Sequence, residues 1–117
     1  MKEIVFFQTA NGRSPVEDFL DSLSGNQAKK VAWVLKLIEN LQSVPSKYLK
    51  ALVNTSGIIE VRVEFGKEIF RILGFIFDKN KVILTNGFKK KTQKTPANEI
   101  HIAEQRKQEY LNRRQQQ

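Results

Sequence analysis

Between Gly66 and Asp78 the chain reads Ile69-Phe70-Arg71-Ile72-Leu73-Gly74-Phe75-Ile76-Phe77, apolar on both alternating faces apart from one arginine. A strand with polar side chains at every second position can leave one face in water, and this run has too few to do so. It predicts a central strand covered on both sides along most of its length. Alternation around it predicts three strands, at about Ile58–Phe65, Glu68–Phe77 and Lys81–Phe88. Turn residues join them at Gly66-Lys67 and Asp78-Lys79-Asn80.

Ahead of this block the apolar spacing is helical. Ser14-Pro15-Val16-Glu17 has the form of a capping box, with Ser14 as N-cap, Pro15 first in the helix and Glu17 reaching back. Val16, Phe19, Leu20 and Leu23 form its apolar stripe, and Gly25 stands where that helix is expected to end. A second helix is predicted from about Asn26 to Ser43, with Val31, Val34, Leu35, Ile38 and Leu41 as its stripe and Pro45 as its stop. Trp33 falls on the flank of that stripe and reads as a packing edge rather than a base-stacking platform. Lys2 to Phe7 reads as a short strand. Thr95-Pro96 opens a last helix, with Thr95 as N-cap and Ile100, Ala103 and Tyr110 on a sparse apolar face. The order β–α–α–β–β–β–α predicts a single α+β domain over residues 1–117. Two N-terminal helices pack on a twisted antiparallel sheet of about four strands, followed by a C-terminal helix and a fraying polar end near 113–117.

The chain has no cysteine and one histidine, His101. Disulfides and thiolate metal sites are thereby excluded, and a single histidine argues against a histidine metal centre or a Ser–His triad. No metal or cofactor is expected. The apolar run Ile4-Val5-Phe6-Phe7 breaks at Gln8, too short for a signal-peptide core, so a cytoplasmic protein without a membrane partner is expected. The formal charge of +8 is unevenly spread. Residues 1–88 carry twelve basic and nine acidic side chains, residues 89–117 eight and three. Lys89-Lys90-Lys91-Thr92-Gln93-Lys94 holds four cations and no acid. Such a stretch is either a solvated tail or a polyanion site whose self-repulsion phosphates relieve.

The first hairpin sharpens the choice. If Gly66-Lys67 is a two-residue turn with glycine first, Phe65 pairs with Glu68, Val63 with Phe70, Arg62 with Arg71 and Val61 with Ile72. Ile59, Val61, Val63 and Phe65 then face the helices, and Glu60, Arg62 and Glu64 face away. Two arginines directly opposite one another are destabilising. Either Glu60 and Glu64 pair diagonally and cancel the repulsion, or the two guanidiniums hold an anion such as phosphate. Alternation after Phe88 lets either Lys90, or Lys89 and Lys91, join the arginine side. Cations gathered in this way are what phosphoryl transfer without a metal needs.

With these residues in view, the chain resembles the RelE/HigB-like toxins of type II toxin–antitoxin systems, specifically the phage-derived HigB-type branch. The resemblance runs through Tyr48-Leu49-Lys50-Ala51-Leu52, Ile58-Ile59-Glu60-Val61-Arg62-Val63 and Ile69-Phe70-Arg71-Ile72-Leu73. It continues through Val82 to Pro96, with its Gly87-Phe88-Lys89-Lys90-Lys91-Thr92-Gln93-Lys94-Thr95-Pro96 run, and the helix carrying Ile100, Ala103 and Arg106. It implies a RelE-like fold and a metal-independent, ribosome-dependent endoribonuclease that cuts messenger RNA by attack of a 2′-hydroxyl on the adjacent phosphate. Arg62, Arg71 and Lys90 are its implied catalytic residues. Lys50, Lys89, Lys91, Gln93 and Lys94 are its implied RNA-binding residues. Its implied partners are messenger RNA, the ribosome and a cognate antitoxin of helix-turn-helix type. The chain departs from some relatives in offering no tyrosine, histidine or acid just after the last strand, where only Gln93, Lys94 and Thr95 stand. A lysine with a lowered pKa is left as acid or base. Two other functions suit the same features: a non-enzymatic, ParE-like inhibitor of gyrase, and a plain nucleic-acid-binding module.

Overall fold

In the computed structural model, which describes residues 1–91 and 94–115, the elements run β1 (Glu3–Phe6), α1 (Pro15–Asp21), α2 (Gly25–Asn40), β2 (Leu49–Ala51), β3 (Ile58–Phe65), β4 (Glu68–Phe77), β5 (Lys81–Lys89) and α3 (Ala97–Gln115). The five strands form one sheet in the order β1-β5-β4-β3-β2. β4 is its central strand and is covered on both sides. Phe70 and Ile72 join Val61, Val63, Val82 and Leu84 under Val31, Val34, Leu35 and Ile38 of α2 and Val16 of α1. From the opposite face, Leu73 packs with Ala103 and Ile100, and Phe75 and Phe77 pack with Tyr110, all from α3. Fully burying side chains of this size stabilises by roughly 1.5–3 kcal/mol each. None of the helices among the described residues is long and apolar enough to cross a membrane.

The sheet is mixed and five-stranded, not antiparallel and four-stranded. β1 lies parallel to β5, with Glu3 beside Lys81 and Phe6 beside Leu84. Its side chains explain the position: Ile4 and Phe6 enter the core under α1 and α2, while Val5 and Phe7 enter the one beside α3. A strand apolar on both faces needs cover from both helix layers. β2 pairs antiparallel with β3. Three residues are too few to show a period of two, so the strand left no pattern to read.

Three boundaries also differ. Gly25 opens α2 instead of closing α1, because Ser24 and Gln27, on either side of it, form a reciprocal capping box. At α1 the Ser14 hydroxyl accepts the Glu17 N–H as expected. α2 ends at Asn40, short of Ser43, where Leu41 turns to extended backbone. Thr95 does not cap α3. The Pro96 carbonyl accepts the N–H groups of Glu99 and Ile100, and the Thr95 hydroxyl is donated elsewhere, to Glu60.

A bulge on β5 was not legible beforehand. Leu73 pairs with Asn86 but Gly74 with Leu84, leaving Thr85 as an extra residue. It reverses the alternation of β5, so Val82 and Leu84 face α1 and α2 while Phe88 joins the α3 side. The backbone is tight there: a Cβ on Gly74 would stand 2.1 Å from the Ile83 carbonyl oxygen. A backbone oxygen cannot swing aside as a side chain can. Gly74→Ala is therefore expected to destabilise by about 1–3 kcal/mol, read as a lower urea midpoint at unchanged slope. An unchanged midpoint would contradict this packing.

Candidate functional site

The turn between β3 and β4 sets the register of the site. Gly66 adopts φ +60°, which places glycine first in a two-residue turn and pairs Phe65 with Glu68. Arg62 then stands directly opposite Arg71, as the sequence implied. Both lie on the face that carries α3, but the helix does not cover them. It begins near Glu60, packs Ile100 and Ala103 against Ile58 and Leu73, and reaches Phe75 and Phe77 with Tyr110. Successive contacts along α3 thus run down β4 away from Arg71.

Beneath the arginines lies Glu60, fully buried. Its Oε1 accepts a hydrogen bond from Arg62 Nε at 3.1 Å and lies 3.6 Å from Arg71 Nε. Its Oε2 accepts the Thr95 hydroxyl. The longer contact is an ion pair without a hydrogen bond, and Arg71 Nε has no hydrogen-bond partner among the described residues. Arg71 donates instead from Nη1 to the Phe70 carbonyl at 3.0 Å. With only 8 % of its side chain exposed, it acts from below, and Arg62, at 27 %, offers more surface to a ligand. Burial lowers the Arg71 pKa, with Arg62 adding to the effect and Glu60 opposing it.

Of the lysine run, Lys90 joins the arginines. Phe88 pairs with Arg71, and Lys90 follows two residues later on the same face. Its pKa is lowered by burial first, then by Arg71, Arg62 and Lys50, against the opposing effect of Glu60. Lys89 points to the other side and pairs with Glu68 at 2.8 Å. Lys91 and Lys94 are exposed, and Gln93 lies outside the described residues. Lys50 pairs with Glu60 across β2 and β3, so it belongs to the same face. Lys50, Arg62, Arg71 and Lys90 thus surround one buried carboxylate, a local excess of three positive charges. Glu60 does pair with both arginines, as one of the two sequence readings had it, yet it neutralises only a fraction of the cluster. Glu64 makes no ion pair among the described residues and is exposed.

The burial of Glu60 and the role of Thr95 were not legible, because both depend on where α3 begins. That start is held by residues that carry no motif. Asn86 Nδ2 donates to the Glu99 carbonyl at 3.2 Å and to Glu99 Oε1 at 3.0 Å, and Arg106 Nη1 donates to the Thr85 carbonyl at 2.9 Å. The bulge residue and its neighbour thereby anchor the helix whose leading threonine holds Glu60. His101 is exposed on α3.

The family model described as phage derived protein Gp49-like matches residues 18–108, a span that contains every one of these site residues. No curated protein matches the chain.

Removing one partner of a buried ion pair leaves the other uncompensated, at a cost on the order of 3–5 kcal/mol. Glu60→Met is expected to destabilise by about that amount, since Arg71 has almost no route to water. Replacing Arg71 as well, in Glu60→Met/Arg71→Met, should recover most of the loss. Chemical denaturation of the two single variants and the double variant measures this, and strictly additive losses would contradict a shared buried pair.

Proposed function

The chain belongs to the phage-derived Gp49-like family, and from that premise we propose that it is the toxin of a toxin–antitoxin pair, a metal-independent endoribonuclease that cuts messenger RNA on the ribosome. The observation that carries this reading is the convergence of Arg62, Arg71 and Lys90 on one sheet face with a single buried carboxylate between them. The resemblance to RelE/HigB-like toxins in the same residues supports it.

In this reaction the ribose 2′-oxygen attacks the adjacent phosphorus and the bond to the 5′-oxygen breaks, leaving a cyclic phosphate and a 5′-hydroxyl. Negative charge builds on the non-bridging oxygens. Arg62 meets it at the surface and Arg71 from beneath, both oriented by Glu60 before the substrate arrives. Lys90, as ammonium, protonates the departing 5′-oxygen. Its lowered pKa suits that work, because an acid is most effective when its pKa lies near the working pH. The 2′ proton leaves to solvent or to a group of the ribosome. Lys50, Lys91, Gln93 and Lys94 hold the strand by its phosphates, whereas Lys89, paired with Glu68 on the other face, takes no part.

Ribosome dependence follows from what the cluster lacks. In-line attack requires a bent backbone, and prepaid orientation is worth up to about 7–11 kcal/mol when ideal. Nothing in a cation cluster bends a free strand, whereas the decoding site holds the message in shape. A basic surface of this kind also needs masking in the cell, which is the part of a helix-turn-helix antitoxin encoded beside it.

Arg71→Ala is expected to lower cleavage by roughly a hundredfold, about 3 kcal/mol of lost charge stabilisation, and to relieve growth inhibition. The variant should keep its thermal transition because Glu60 retains Arg62 and Thr95. Full toxicity would sink the assignment.

The pH dependence follows from Lys90. An acid must be protonated, so cleavage should fall as pH rises through its pKa, on a limb displaced below the ordinary lysine value of 10.5. Lys90→Arg should move that limb upward. Incubating one message free and in a translating complex at matched salt tests the ribosome directly. Equal cutting of both would refute that requirement.

A further inference from the structure

Beside the arginine cluster, at the β2 edge of the sheet, a hollow of ≈ 250 Å³ is lined by Lys30, Lys47, Tyr48, Arg62, Glu64 and Gly66. It is assembled from α2, the approach to β2, and β3 with its turn. Arg62 belongs to both places. Its Nε is bound to Glu60, and its Nη1 reaches the Ser46 carbonyl at 3.5 Å, so one guanidinium spans from the buried carboxylate to the hollow.

The walls combine positive charge with aromatic surface. Trp33 meets Tyr48 edge-on, centroids 5.8 Å apart at 79°. Lys30 Nζ stands 4.8 Å from the Trp33 ring centre and Lys47 Nζ 5.7 Å from that of Tyr48, which holds cations against the rings without burying them. Trp33 is 49 % exposed, although α2 buries its stripe of Val31, Val34, Leu35 and Ile38. Three cations and one carboxylate leave the lining with a net charge of +2. An anion with a flat apolar part fits such a lining. An acidic peptide fits less well, because Glu64 stands on the rim and would repel it. A nucleobase turns the same carboxylate into an asset, since Glu accepts a hydrogen bond from an exocyclic amino group.

We infer that this hollow binds one nucleotide of single-stranded RNA adjoining the scissile phosphate. The base rests against Tyr48, which Trp33 meets edge-on, the phosphate is met by Lys30 and Lys47, and Glu64 favours bases that carry an amino group. The inference rests on the nuclease reading of the neighbouring cluster and adds a specificity element to it. Stacking tolerates any base, so the preference comes from Glu64.

The chain has a single tryptophan, and Trp33 meets Tyr48 of the hollow edge-on, so its fluorescence is a probe of a ligand on that ring. The full chain is titrated with 2′-O-methylated trinucleotides of adenosine, cytidine or uridine, which bind but cannot be cut. Saturable quenching is expected, tighter for adenosine and cytidine than for uridine. Tyr48→Leu should weaken binding about tenfold. Lys30→Gln/Lys47→Gln should lower the slope of log affinity against log salt by about 0.7, the contribution of the one phosphate that the two lysines meet. Glu64→Ala should erase the preference over uridine. Absent quenching, tighter binding of an oligoglutamate peptide, or a salt slope unmoved in the lysine variant, which stays informative if Tyr48→Leu fails to fold, would overturn the inference. Binding without any message cleavage would overturn the nuclease reading and leave the hollow standing. Cleavage with unchanged cut positions in Glu64→Ala would overturn the base preference alone.

Discussion

A carboxylate with no access to water has to be met by positive charge or by hydrogen-bond donors, and the back of this sheet is organised around that demand. Glu60 takes Arg62, Arg71 and Thr95 from three elements and is the contact they share. Without it, Arg62 and Arg71 would stand opposite one another on neighbouring strands as an uncompensated repulsion. With it, they become a fixed pair of guanidiniums whose excess charge points outward. The ion pair stabilises by little on its own account, since desolvation offsets much of the attraction. Its weight lies in orientation.

Orientation of that kind depends on a second device, the bulge at Thr85. By inserting one residue into β5, the bulge turns Phe88 and Lys90 toward Arg71 while Val82 and Leu84 stay in the opposite core. The same residues anchor α3, through Arg106 on the Thr85 carbonyl and Asn86 on Glu99. The helix then enters beside Glu60 and leaves Arg62 part-exposed, with Arg71 buried next to it. One backbone irregularity thus supplies the lysine, fixes the threonine and sets where the open part of the sheet begins.

The cluster is electrostatically unfinished. Burial lowers the proton affinity of Arg71 and Lys90, Arg62 lowers both further, and Arg71 and Lys50 add to the effect on Lys90. An anion such as phosphate placed there would relieve this repulsion, which is the physical basis of the proposed function. The hollow at the β2 edge continues the surface from Arg62 with aromatic rings and two more lysines. The two places are thus one continuous surface joined by Arg62.

Much of this was legible in the residues themselves. The double-sided run of β4 and the alternation around it specified three strands to within a residue, because a period of two is unmistakable over eight or more positions. A two-residue turn at Gly66-Lys67 implied the register that puts Arg62 opposite Arg71, and the structure has that turn. Local physics suffices for such features. What it could not reach were the partner of β1, the existence of β2, the side chosen by Lys90 and the burial of Glu60. Each depends on atoms distant in sequence: both helix layers that cover β1, the β3 edge that pairs with β2, the bulge opposite Gly74 and the threonine at the head of α3. The residue types of the site were determined by the sequence. Their convergence on one carboxylate was decided only when the sheet and α3 closed around it.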